Sequence, residues 1–95
     1  MNEAQLITKA KNLLTKEGGV AWSGTAWKDV FGIFDVIYLS PDNQTSYYQV
    51  STKDHRWSRL TKIFQFRNRY GALPEHSYLM LWDYQLNDFN VEKLT

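Results

Sequence analysis

A single carboxylate inside an apolar run marks the part of the chain best suited to chemistry. Asp35 lies within the apolar sequence IFDVIYL of residues 33–39. A carboxylate buried in a core strand without a partner is costly, so this one is expected either to act in a site or to pair with a cation. The candidate cations for such a pair are Lys53, Arg56 and Arg67. We favour the functional role.

Polar side chains alternate along the strand-like segment that follows. After a turn-like stretch at 40–45, residues 46–53 read SYYQVSTK, and period-two geometry puts Gln49, Ser51 and Lys53 on one face. Pairing of the two strands is expected to bring this polar face up to Asp35. In the first strand the same geometry separates Ile33, Asp35, Ile37 and Leu39 from Phe34, Val36 and Tyr38.

The remaining elements must position these two strands. Leucine and alanine recur at helical spacing over residues 3–16, ahead of a Gly-Gly pair that is typical of a helix end. We predict a short strand at 20–22, a loop at 23–32, a helix at 56–70, and strands at 78–82 and 88–94. This order predicts an α/β chain of the α+β kind, with a mixed β-sheet of four to five strands flanked by helices. The helix at 56–70 is the expected crossover between parallel strands.

The helix at 56–70 combines a broad apolar arc with positive charge. Its apolar arc contains Trp57, Leu60, Ile63, Phe64, Phe66 and Tyr70, and the polar side chains Ser58, Thr61, Lys62, Gln65 and Arg69 fall opposite. Residues 53–69 carry six cationic side chains and one acidic one, a net charge of +5 in a chain whose total is +1, so the rest carries −4. Local positive charge beside an acidic site suits a phosphodiester substrate.

Composition limits the class of protein. The 95 residues, 43% of them hydrophobic and 16% aromatic, predict one domain spanning 1–95. The chain has no cysteine, which excludes disulfides and thiolate zinc sites and makes the reducing cytoplasm the expected compartment. We expect no membrane partner, because residues 1–5 do not read as a signal peptide and no apolar stretch approaches the ~20 residues of a membrane span.

In these motifs the chain resembles the PD-(D/E)XK nuclease superfamily, and within it the archaeal-type Holliday junction resolvases. The resemblance is carried by GIFDVI at 32–37 followed by YQVSTK at 48–53. It extends to an N-terminal helix with an early glutamate, a loop with serine and glycine, a basic helix and a following apolar strand. It implies a restriction-endonuclease-like fold and a metal-dependent endonuclease that acts on branched or structured DNA.

The resemblance also implies roles for individual residues. Asp35, Gln49 and Glu3 would hold Mg²⁺ or Mn²⁺, and Ser51 or Lys53 would position the attacking water. Two registers are open, because either Gln49-X-Ser51 or Ser51-X-Lys53 can stand where the family has an acidic residue followed two positions later by lysine. The expected DNA contacts are Ser23, Lys28, Arg56, Arg59 and Lys62.

The expected assembly is a homodimer in which each subunit cuts one strand. The four tryptophans, Trp22, Trp27, Trp57 and Trp82, are expected to serve the core and the dimer surface. The small, degenerate form of the motif indicates a mobile element or virus, and for a virus the compartment is the host cytoplasm. Two other functions stay open: a catalytically degenerate nucleic-acid-binding or protein-interaction module of the same fold, and a metal-independent ribonuclease that uses His55 or a tyrosine.

Overall fold

The protein folds as two helices on a five-stranded sheet. The computed structural model describes residues 1–24 and 30–95. Its elements are α1 (Glu3–Leu14), β1 (Val20–Ser23), β2 (Val36–Leu39), β3 (Thr45–Thr52), a 3₁₀ turn (Lys53–His55), α2 (Arg56–Tyr70), β4 (Ser77–Asp83) and β5 (Asp88–Lys93). The predicted α+β class, with a mixed sheet flanked by helices, is confirmed.

The strands follow one another across the sheet in the order β1-β2-β3-β4-β5. The neighbours β1 and β2, β2 and β3, and β4 and β5 are antiparallel, whereas β3 and β4 are parallel. A parallel neighbour cannot be reached through a tight hairpin, so α2 returns the chain to the other end of the sheet. The predicted crossover is therefore confirmed.

The two helices pack on opposite faces of the sheet. On one face Leu6 and Ala10 of α1 join a cluster with Val36, Tyr48, Val50, Met80 and Trp82. On the other face Leu60 and Ile63 of α2 join Ile33, Phe34, Leu79 and Leu81. Successive residues of β4 alternate between the two clusters, as the pleat of a strand requires.

The first helix is shorter than predicted. It begins with a capping box, in which Asn2 Oδ1 accepts from the Gln5 N–H and Gln5 Oε1 accepts from the Asn2 N–H. It ends at Leu14 instead of residue 16, because Thr15 leaves helical geometry as the C-cap. Gly19 follows with φ of 83°, and a Cβ there would lie 2.5 Å from the Leu39 carbonyl oxygen. Only glycine fits at that position without displacing backbone.

The acidic strand begins later than predicted, at Val36 instead of residue 33. Phe31 and Gly32 adopt positive φ, and Val30 and Phe34 exchange backbone hydrogen bonds of 2.7 and 2.9 Å across this turn. Phe34 consequently packs in the same cluster as Ile33 and not with Val36, which corrects the predicted alternation. The period-two rule fails before Val36 because the backbone is turned there and not extended.

Helix α2 matches its predicted range and ends at Gly71, whose φ is 81°. The buried stripe of α2 is narrower than the predicted arc, since Trp57, Phe64 and Tyr70 are exposed. The bounds of β1 and β5 differ from prediction by one residue at one end, and those of β3 and β4 by one residue at both ends. No helix in the described ranges is long and apolar enough to cross a membrane.

Candidate functional site

Asp35 occupies the point where β2 diverges from β3. The last pair of their ladder is Val36 with Tyr48, whereas β3 continues to Thr52. Asp35 is 4% exposed, and its Oδ2 accepts hydrogen bonds from the Val50 N–H at 2.7 Å and from Gln49 Nε2 at 2.9 Å. On this side of β3, the Asp35 carboxylate thus accepts the hydrogen bond that the Val50 N–H would otherwise donate to a neighbouring strand.

Gln49 brings a second oxygen to this position. Its side chain is 2% exposed, and its amide nitrogen is engaged by Asp35. Its Oε1 is buried and accepts no hydrogen bond within the part of the chain that the structure describes. A buried carbonyl oxygen without a donor is costly, and such atoms in native proteins call for an explanation such as a bound ion or water.

A small cleft lies beside the carboxyl end of β3. Ser51 is buried, and its Oγ accepts from Arg59 Nε at 3.2 Å. Both residues line the cleft together with Glu3 of α1 and His55, whose Nδ1 is 2.8 Å from the Thr52 hydroxyl. The structure therefore brings the helix-borne glutamate to the same strand end as Ser51.

Lys53 is placed away from Asp35, at the end of β4. Its Nζ lies 3.4 Å from Asp83 Oδ2, and the Asp83 Oδ1 accepts from the backbone N–H groups of Gln85 and Leu86. Burial alone would raise the pKa of Asp83, but the hydrogen bonds from these two backbone groups and the contact with Lys53 outweigh it and lower the pKa. Lys53 is therefore engaged with the turn that follows β4, and not with Gln49 or Ser51.

The cations predicted to contact DNA have different surroundings. Arg56 is held by Glu92 of β5 through two hydrogen bonds of 2.6 and 2.8 Å, and the Ser23 hydroxyl accepts from Lys11 Nζ at 3.1 Å. Lys62 is half-buried on α2. Lys28, and with it Trp27, lies outside the described residues.

Two carboxylates in these contacts were not singled out in the sequence. Asp83 is the last residue of the apolar strand β4. A carboxylate directly after a buried apolar run could have been recognised from the sequence as a candidate, by the same argument as Asp35. Glu92 lies in a strand whose burial is weak, and nothing in its neighbourhood along the chain indicates Arg56 as its partner.

The donor atoms of the site limit the ions it can hold. Among the described residues no three side chains of the histidine, cysteine, aspartate or glutamate type converge into a metal-binding group. The available oxygens are the Asp35 carboxylate and Gln49 Oε1, with the Glu3 carboxylate in the adjoining cleft. These hard oxygens fit Mg²⁺, which keeps several waters and commonly uses one or two protein carboxylates beside substrate phosphates.

Comparison of the chain with protein-family models, with curated proteins and with solved structures found no match.

Proposed function

We propose that the chain is a metal-dependent endonuclease of the PD-(D/E)XK type that hydrolyses phosphodiester bonds in branched or structured DNA, as Holliday junction resolvases do. The observation that carries this proposal is the buried Asp35–Gln49 pair, with an unpartnered amide oxygen, at the divergence of β2 and β3. The order of helix, antiparallel hairpin, helix and parallel strand supports it, because the sequence resemblance implies the same order of elements.

In this proposal Asp35, Gln49 and Glu3 hold Mg²⁺ or Mn²⁺. When bound, the ion supplies a water of lowered pKa and offsets charge that develops on the scissile phosphate. Arg59 lines the cleft, where its guanidinium can hold a phosphate while Ser51 fixes its Nε. The contact of Lys53 with Asp83 favours the Gln49-X-Ser51 register over the one that ends at Lys53.

The expected partners follow from the same proposal. Branched DNA presents two strands to be cut, so a two-fold dimer with one site in each subunit suits it. The compartment would be the cytoplasm, or the host cytoplasm if the chain is viral, in keeping with the absence of cysteine.

A cleavage assay tests the proposal. Four-way junction, duplex and single-stranded DNA are incubated with the protein in Mg²⁺, Mn²⁺ or EDTA, beside the variants Asp35→Asn and Asp88→Asn. Asp88 is an exposed aspartate of β5 and serves as the matched control. We expect junction cleavage that requires the metal, falls to background in Asp35→Asn and persists in Asp88→Asn. Cleavage that survives EDTA and Asp35→Asn contradicts the proposal.

A second candidate is a non-catalytic nucleic-acid-binding or protein-interaction module of the same fold. The specific observation in its favour is that Asp35 Oδ2 already accepts two hydrogen bonds while Lys53 contacts Asp83. Tight DNA binding without cleavage in any metal would assign the protein to this class.

A further inference from the structure

Helix α2 carries two large aromatic side chains on its outer surface. Trp57 is 75% exposed and Phe64 is 42% exposed. Seven residues separate them, which is close to two helical turns, so they lie on the same side of the helix about 10 Å apart. Single exposed aromatics are ordinary on protein surfaces, but a pair aligned along one helix calls for a reason.

An arginine lies over each of these rings. The Arg56 guanidinium is 5.2 Å from the centre of the Trp57 ring, and the Arg67 guanidinium is 5.1 Å from the centre of the Phe64 ring. At the end of α2 a third pair repeats the arrangement, with Arg69 5.5 Å from the ring centre of exposed Tyr70. Each of these three exposed rings of α2 therefore has an arginine beside it.

An exposed ring with a cation beside it has the chemistry of a surface for unpaired nucleotides. A base of any sequence can stack on an exposed ring, and an adjacent cation can contact the phosphate that joins it to the next base. Duplex DNA offers no free base faces, so rings of this kind select single-stranded segments. Branched DNA contains such segments at flaps and frayed junction arms.

We propose that the face of α2 formed by Trp57 and Phe64, with Arg56 and Arg67, binds a single-stranded nucleic-acid segment through base stacking. The inference deepens the proposed function, since it names the kind of DNA that the nuclease site would meet. The binding itself needs neither the metal nor Asp35, because Trp57, Phe64 and Arg67 are exposed on α2, whereas Asp35 is buried where β2 diverges from β3.

Charge favours nucleic acid over a second copy of the chain on this face. Residues 53–69 carry six cationic side chains and one acidic one, and carboxylates from elsewhere in the chain pair with two of the cations, Arg56 and Lys53. The segment therefore stays positive after these pairs are counted. Two copies of α2 packed against each other would bring arginines against arginines, and like charges at close range are repulsive. A polyanion instead gains from cations on this face that are not already paired with a carboxylate, such as exposed Arg67 beside Phe64.

The test measures the affinity for a dye-labelled oligothymidylate in EDTA, by fluorescence anisotropy. The variants are Trp57→Ala, Phe64→Ala and the conservative Trp57→Phe, and the matched control is Trp22→Ala, a 55% exposed tryptophan on β1. We expect Trp57→Ala and Phe64→Ala each to weaken binding about 5-fold or more, as the loss of one stacked base does. Trp57→Phe retains most of the affinity, and Trp22→Ala leaves it unchanged.

Three outcomes overturn this proposal. The first is unchanged affinity in Trp57→Ala and Phe64→Ala, and the second is an equal loss in Trp22→Ala. The third is a shift from dimer to monomer in Trp57→Ala by size-exclusion chromatography with light scattering, which would assign the face to a second copy. Thermal unfolding of each variant confirms that it is folded.

The same variants separate the two proposals. A protein that binds the oligonucleotide through Trp57 but cleaves no substrate in any metal retains this inference and loses the proposed nuclease function. A protein that cleaves junctions with an Asp35-dependent activity, but binds the oligonucleotide equally well without Trp57, loses this inference alone.

Discussion

At the scale of single residues, the hydrogen bonds of Asp35 stabilise the fold, independently of any role in chemistry. The hydrogen bond from the Val50 N–H holds β3 on the side that β2 no longer accompanies, while β4 pairs along the other side, and the bond from Gln49 fixes that amide. Hydrogen bonds to an ionised acceptor are among the stronger ones in proteins. Asp35 therefore stabilises the fold, and in the proposed function the same carboxylate would also hold the metal ion.

The structural share of this role can be measured apart from activity. Asp35→Ala leaves the Val50 N–H and Gln49 Nε2 without their acceptor, so we expect a loss of at least about 2 kcal/mol in the free energy of unfolding. Asp35→Asn keeps one oxygen for Val50, and we expect a loss nearer about 1 kcal/mol. Urea denaturation of both variants checks the order. Equal losses in the two variants would mean that the hydrogen bond to Val50 does not stabilise the strand.

The sequence predicts some side-chain contacts and not others, for a geometric reason. The contact of Asp35 with Gln49 follows from two neighbouring strands joined by a turn, because their pairing, continued one residue beyond Val36 and Tyr48, brings these two side chains together. The contact of Lys53 with Asp83 depends on the parallel pairing of β3 and β4, across the whole length of α2. Lys53 has a long side chain that can reach several carboxylates, so the sequence does not indicate which of them it contacts.

At the scale of elements, the ion pair between Arg56 and Glu92 joins α2 to the edge strand β5. Arg56 lies in the first turn of α2, and its two-pronged bond to Glu92 joins that turn to β5. The bond from Arg56 lowers the pKa of Glu92, although partial burial acts in the opposite sense. The helix start is therefore positioned by a strand that comes much later in the chain.

This pair makes part of the stability depend on pH. Because the pKa of Glu92 is lower in the folded state than its ordinary value of 4.5, the pair stabilises the fold above that pH and is lost as the pH falls through the folded pKa. We expect Glu92→Gln to be less stable than wild type near neutral pH and to lose less stability on acidification. Urea denaturation across a pH series measures this, with exposed Glu17→Gln as the control. Parallel pH profiles for wild type and Glu92→Gln would contradict it.

Element boundaries were predictable where local chemistry defines them. Gly71 in a left-handed conformation ends α2 where a glycine after an apolar helix indicates. The start of β2 was not predictable from its apolar run, because positive φ at Phe31 and Gly32 turns the chain inside that run. The apolar arc of α2 overestimated burial for a related reason, since periodicity shows which residues share a side but not how far the sheet extends beneath them.

At the scale of the whole molecule, β4 contributes buried residues to both halves of the core. Leu79 and Leu81 face α2, whereas Met80 and Trp82 face α1, and all four are buried. In so small a chain neither face alone buries enough apolar surface to be stable. The two clusters are therefore expected to unfold together.

Substitutions of two leucines, buried Leu79 of β4 and exposed Leu86 in the turn after it, test whether the two clusters unfold together. Leu79 is fully buried, so Leu79→Ala should cost about 2–5 kcal/mol, whereas exposed Leu86→Ala should change stability by less than about 0.5 kcal/mol. Denaturation followed both by circular dichroism and by tryptophan fluorescence should show one shared midpoint for Leu79→Ala. Two separate midpoints would mean that the faces unfold independently.

The parallel pairing of β3 with β4 also bears on how quickly the chain can fold. The antiparallel pairs join segments that are near neighbours along the chain, and they close small loops. The pairing from Tyr47–Ser77 to Thr52–Trp82 instead joins residues 30 positions apart across α2, so each of its contacts raises the contact order more than a contact of an antiparallel pair does. The loop-closure entropy of that single crossover, more than the number of strands, should determine the height of the folding barrier.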